Sequence, residues 1–113
     1  IQALARAAGI PEKPMVISSE LDIEGGRVDR LIKICRHFNA DTFYEGASGV
    51  NYIDPAVFLD SGITVQFQAY HHPEYKQLYG DFVPYLSLVD LLFNCGDSSL
   101  NVLIENYKAE VVG

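Results

Sequence analysis

The stretch RVDRLIKICRHF, residues 27–38, constrains the fold of this chain more tightly than any other. Val28, Leu31, Ile32, Cys35 and Phe38 recur at helical spacing as one apolar stripe, with the charges mainly off it. Such a helix buries one face and solvates the other, so it needs a second layer to pack on. Strand patterns flank it. Residues 42–45 (TFYE) follow a turn at Ala40-Asp41, and residues 63–69 (ITVQFQA) alternate with the apolar side chains at odd positions. Upstream, residues 14–21 (PMVISSEL) read as a buried strand turning polar at its end.

The remaining signals are helical. Residues 1–8 carry apolar side chains at helical spacing and meet a stop at Gly9. Asp54-Pro55 is an N-cap followed by proline at the first helical position of a short helix. Ser87 and Asp90 have the capping-box spacing, with Asp in place of the usual Glu, ahead of a helix that Gly96 ends. A last helix opens at Ser98 or Ser99 and runs through about Lys108. The order α, β, α, β, α, β, α, α predicts an α/β fold. The expected architecture is a small three-layer Rossmann-like unit with about three parallel strands and flanking helices. Residues 1–113 are expected to form a single α/β domain. The chain starts without Met, as a fragment of a longer chain would.

Composition narrows the function classes. Eight Lys+Arg against fifteen Asp+Glu give a net charge of −7, a field that repels phosphate backbones and argues against nucleic acid partners. The longest apolar run is Ala56-Val57-Phe58-Leu59, with Leu91-Leu92-Phe93 shorter still, far short of the ~18 residues a spanning helix needs, so no membrane insertion is expected. The first eight residues lack the pattern of a signal peptide. Cys35 and Cys95 have no metal-ligand spacing and read as reduced thiols of a cytoplasmic protein. Arg27, Arg30, Lys33 and Arg36 crowd onto the helix described above. Such a cluster is commonly a solvated face, and less commonly a surface for an acidic partner or a phosphate.

Ligands of open α/β sheets bind beyond the carboxyl ends of the strands. That rule collects Ser18-Ser19-Glu20, the loop Glu45-Gly46-Ala47-Ser48-Gly49, and Tyr70-His71-His72. The glycine loop has no Lys or Arg and begins with a carboxylate, so it is a poor phosphate cradle. A turn that needs positive φ at Gly46 and Gly49 is the plainer account, and a neutral, hydroxyl-rich ligand such as a sugar is the other. The Gly-Lys-Ser/Thr of a Walker loop is absent, and the sequence assigns no cofactor. His71 and His72 point to opposite sides of an extended segment, and no third ligand is evident, so no metal site is assigned. One of them could serve as general acid or base, against the plainer role of a loop histidine bonded to backbone. Tyr75, Tyr79, Phe82 and Tyr85 could stack on a sugar ring or cover the core.

Residues 18–54, from SSELDIEGG through ADTFYEGASGVNYID, resemble part of a known family, as do residues 62–96, from GITVQFQA through HHPEYKQLYGDF to LSLVDLLFNCG. This is the C-terminal half of the WbqC-like family. It has a Ser-Ser-Glu-Leu segment, a Leu-Ile-x-Ile-Cys helix, a glycine loop with Tyr-x-Asp, a His-Pro-x-Tyr-x-Gln segment and a closing Ser-x-x-Asp-Leu-Leu-Phe-Asn-x-Gly. The resemblance covers residues 15–96 in unbroken order. The family's other half, with its Gln-Pro-x-Tyr-Leu-Pro-Trp opening, has no counterpart here, where Trp is absent. Family members occur in bacterial gene clusters for O-antigen and other surface polysaccharides. The resemblance therefore implies a transferase-type enzyme acting on a sugar or nucleotide-activated sugar. On this reading His72 and Glu20 are the catalytic candidates, and Ser18, Ser19, Gly46, Ser48, Gly49, Tyr52, Tyr75 and Gln77 bind ligand. The alternative is a non-catalytic carbohydrate- or protein-binding assembly domain using residues 70–85. A homo-oligomer, or pairing with the family's other half, is the expected assembly.

Overall fold

A computed structural model describes residues 1–105 and the backbone of residues 109–112. The elements in chain order are α1 (Gln2–Ala7), α2 (Arg27–His37), β1 (Thr42–Glu45), α3 (Pro55–Leu59), β2 (Thr64–Gln68), α4 (Leu88–Cys95), α5 (Ser99–Ile104) and β3 (Ala109–Val112). Short 3-10 turns occupy Ser18–Glu20, Ala47–Asn51 and Gly96–Ser98. The expected helix through about Lys108 is described only as far as Ile104, and Lys108 lies outside the described residues. The elements divide between two compact units. One comprises residues 16–70 with β3, the other residues 1–15 with residues 71–105.

In the first unit the stripe on α2 performs as its spacing predicts. Ile32 and Cys35 are buried, and Val28 and Leu31 pack beside them. Phe38 caps the helix instead and stays about half exposed. Asn39 turns left-handed there, at φ 52°, and Ala40 N–H closes back on the Cys35 carbonyl. The turn aims the chain into β1. There Phe43 stacks on Phe58 with ring centroids 5.1 Å apart. The alternation in β2 buries Val65 and Phe67, and with Ile53, Phe58 and Ile63 they complete the core. Asp54 Oδ1 accepts from Ala56 N–H at 3.0 Å, and Pro55 needs no partner at that position, so α3 starts where the sequence places it.

β1 and β2 are parallel, with Thr42 opposite Thr64 and Glu45 opposite Phe67. The third strand differs from expectation. β3 joins the far side of β2 antiparallel, and the chain order across the sheet is β1-β2-β3. The expected strand over residues 14–21 does not form. Met15, Val16 and Ile17 are 57%, 54% and 62% exposed, and Ser18–Glu20 coil into a 3-10 turn. A β-favouring apolar run becomes a strand only where a neighbouring strand takes up its backbone N–H and C=O groups. Here Arg30 takes part of that role. Its Nε donates to the Ile23 carbonyl at 2.9 Å and its Nη2 to the Ser18 carbonyl at 2.9 Å, tying the segment to α2 as a loop.

Among the described residues of the second unit, Ala8 and Leu91 are the buried hydrophobic side chains, and the hydroxyl of buried Ser99 donates to the Gly96 carbonyl at 2.6 Å. Ser87 caps α4 by accepting from Val89 N–H at 3.2 Å. Asp90 does not complete a capping box; its carboxylate is engaged elsewhere, as described below. Among the described residues no helix is long and apolar enough to cross a membrane.

Among the described residues three groups have a raised pKa, each chiefly because burial penalises the anion: the Cys35 thiol, Tyr70 and Tyr75. Donation to Asp90 holds Tyr75 up further. A folded-state pKa above the unfolded one means that the folded chain keeps its proton longer, so stability falls as pH rises between the two values. The expected result is constant stability up to the ordinary Cys value of 9.0, then a decline that steepens above the ordinary Tyr value of 10.0. Urea unfolding across pH 7–11 measures it, and a stability that rises through this window would contradict it.

Candidate functional site

At the carboxyl end of β1 the loop from Gly46 to Tyr52 folds back over the parallel pair. Glu45 anchors it: Oε1 accepts from Gly46 N–H at 3.0 Å and from the Tyr52 hydroxyl at 3.4 Å. The first residue of α2, Arg27, sets its guanidinium 5.9 Å from the Tyr52 ring centroid, a cation–π contact. A carboxylate, a phenol and a guanidinium thus meet at a strand end, with exposed Ser48 on the same loop. This trio can offer a hydroxyl-rich ligand donors and acceptors together, and a phosphate one cation.

The two glycines of the loop play different parts, and neither supplies the positive φ expected of a turn. Gly46 sits at φ −63°, and a Cβ there would meet nothing within 4 Å. Gly49 is buried, and its Cβ would press on Glu45 Cγ and on the Phe67 ring, 2.9 Å from Cε1. Gly49 is therefore a close-packing glycine that lets the loop lie on β2. Ser18, Ser19 and Glu20 form an exposed turn in the same unit, held by Arg30. Lys33 is similarly occupied: it donates to the Glu24 carbonyl at 3.0 Å and pairs with Asp29 at 2.7 Å. Two of the four basic side chains on α2 therefore brace the 18–24 loop. Arg27, a candidate ligand group, carried no sequence signal beyond its place in the basic cluster.

His72, Tyr75 and Gln77 belong to the other unit, where Tyr75 and Gln77 meet at Asp90 and the His72 ring lies beside that of Tyr75. Asp90 Oδ2 accepts from the Tyr75 hydroxyl at 2.7 Å and from Gln77 Nε2 at 3.0 Å, while Oδ1 accepts from Asn94 Nδ2 at 3.2 Å. Gln77 also clamps the backbone of Val83 from both sides: Nε2 donates to the Val83 carbonyl at 2.9 Å, and Oε1 accepts from Val83 N–H at 2.8 Å. An amide side chain here substitutes for a strand edge. His72 Nε2 accepts from Tyr85 N–H at 3.2 Å, and Nδ1 lies 2.8 Å from the Pro73 carbonyl. Those partners define the neutral tautomer with the proton on Nδ1. The imidazole also lies among the rings of Tyr75, Phe82 and Tyr85, at centroid distances of 6.4, 5.9 and 5.0 Å. Among the described residues no group of three His, Cys, Asp or Glu could hold a metal ion.

The residues that lock segment 72–94 are those of the His-Pro-x-Tyr-x-Gln and Ser-x-x-Asp-Leu-Leu-Phe-Asn-x-Gly pattern. The model of the WbqC-like protein family matches residues 1–102. The chain belongs to the WbqC-like protein family. The match takes in α1, which lies outside the resemblance over residues 15–96. An uncharacterized protein of Mycobacterium tuberculosis is 33% identical over 97 residues, which cover 85% of this chain and 42% of that protein. The chain thus spans about two-fifths of the length of this curated relative. No solved structure matches the chain.

Proposed function

We propose that this WbqC-like chain is one part of a transferase-type enzyme that acts on a sugar or nucleotide-activated sugar in the assembly of bacterial surface polysaccharide such as O-antigen. The observation that carries this reading is the meeting of Arg27, Glu45 and Tyr52 at the carboxyl end of β1, where α/β sheets present their ligands. In this reading Arg27 neutralises a diphosphate, while Glu45, Ser48 and Tyr52 bind hydroxyls. Gly46 offers open backbone to the ligand, and Gly49 shapes the loop. Ser18 and Ser19 line the exposed turn that carries Glu20, the acid or base of the reaction. His72, Tyr75 and Gln77, whose polar atoms face backbone or Asp90, hold the aromatic segment in shape for binding; we assign His72 to positioning in preference to proton transfer. The β1–α3–β2 crossover would then belong to a larger three-layer Rossmann-like sheet, one domain completed by the rest of a longer cytoplasmic protein.

Thermal unfolding against nucleotide sugars, free sugars, ATP and acyl-CoA tests the reading. A ligand at a hundred times its dissociation constant adds about 2.7 kcal/mol, an easily seen shift. One nucleotide sugar is expected to raise the transition, and Arg27→Ala to remove that rise without moving the unliganded transition. A transition that no nucleotide sugar or sugar moves would overturn it.

The exposure of the aromatic segment favours a second reading, carbohydrate binding without chemistry. Tyr79 and Tyr85 are both 84% exposed, although their segment is tightly braced.

A further inference from the structure

Tyr85 combines three properties that a surface tyrosine rarely has together. Its backbone is left-handed at φ 61°, a conformation that costs a residue with a Cβ and accumulates where function requires it. Its side chain is 84% exposed, so burial of the ring does not compensate that cost. Its N–H is nonetheless fixed by His72 Nε2 at 3.2 Å, and its ring meets the His72 ring edge-on at 5.0 Å. Two residues before it, the Gln77 amide fixes Val83 at both its N–H and its carbonyl. The brace extends to Asp90 through Gln77 and Tyr75. A rigid, strained support thus holds one aromatic face out to solvent.

We propose that Tyr85 is a stacking platform for a pyranose ring, positioned by His72 and the Gln77 clamp. This rests on the reading that the ligand carries a sugar. The chemistry of the segment selects that class. Between Gln77 and Ser87 the charged side chain is Asp81 alone, and no Lys or Arg is present, so nothing there favours an anion. An aromatic face attracts the C–H face of a sugar, and a preset ring loses little conformational freedom on binding.

The test is a titration of the chain with methyl pyranosides, followed by NMR, together with thermal unfolding of Tyr85 variants. Wild type is expected to show saturable shifts at Tyr85 and its neighbours. Tyr85→Phe should bind within threefold of wild type. Tyr85→Gly, which accepts a left-handed backbone at no steric cost, should bind at least tenfold more weakly while its melting temperature stays equal or rises. A fall in melting temperature in Tyr85→Gly with binding unchanged would make Tyr85 a structural residue and overturn the proposal. If nucleotide sugars bind at the β1 end but Tyr85→Gly leaves their affinity untouched, this inference fails and the functional reading stands. If no sugar of either kind binds, both fail. Self-association that Tyr85→Gly abolishes, without sugar binding, would assign the ring to a protein contact and also overturn the proposal.

Discussion

Gly49→Ala is expected to destabilise the chain by about 2–3 kcal/mol, a fall in melting temperature on the order of 10 °C. The new methyl would sit against two neighbours with unequal freedom. Glu45 Cγ can rotate away, at the expense of the bonds its carboxylate makes to Gly46 N–H and the Tyr52 hydroxyl. The Phe67 ring cannot: it is 4% exposed, on the middle strand of the sheet, in the core with Phe58 and Val65. Relief must come from moving the loop off β2 or the ring into the core, and both cost packing. Gly46→Ala is the control. Its Cβ meets nothing, its backbone is one that any residue adopts, and its stability should stay within about 0.5 kcal/mol of wild type. Equal effects at the two glycines would show that the loop is not packed as described.

Asp90→Ala should cost about 2–4 kcal/mol, because hydrogen bonds to a charged acceptor are worth more than neutral ones and their loss strands the donors. The Tyr75 hydroxyl is left without its acceptor, and the amides of Gln77 and Asn94 each fall back on a single backbone carbonyl, Val83 and residue 90 respectively. The loss should spread along the chain, because the Gln77 amide that bonds Asp90 also clamps Val83. Hydrogen exchange is expected to rise at the amides of Val83 and Tyr85, while β1 and β2 in the other unit keep their protection. Unchanged exchange at Val83 and Tyr85 would mean that the segment is held by something other than this network.

The parts of the fold that were legible in the sequence are those fixed by local rules. The α2 stripe, the alternation of β2, the Asp54-Pro55 start and the Ser87 cap each depend on residues a few positions apart. What was not legible depends on distant partners. PMVISS has the composition of a strand, but a strand needs an edge to pair with, and Arg30 instead binds the loop. The hydrogen-bonding of Asp90 could not be seen from its spacing to Ser87, because the stronger partners come from Tyr75 and Gln77, well upstream. Gly49 was recognisable as special, but the reason is the approach of Phe67 across the sheet, not the backbone angle. The site followed the same division. The strand-end rule singles out the loop that begins at Glu45, while the approach of Arg27 to Tyr52 joins residues far apart in the chain and has no local signal.

The most direct test of the account is an NMR titration of the isotopically labelled chain with the nucleotide sugar that most raises its melting temperature. Progressive, saturable shifts at Arg27, Glu45, Gly46, Ser48 and Tyr52 are the predicted result. Saturation with no shift in the Gly46–Tyr52 loop or at Arg27 would contradict it, and would remove the end of β1 as the ligand site.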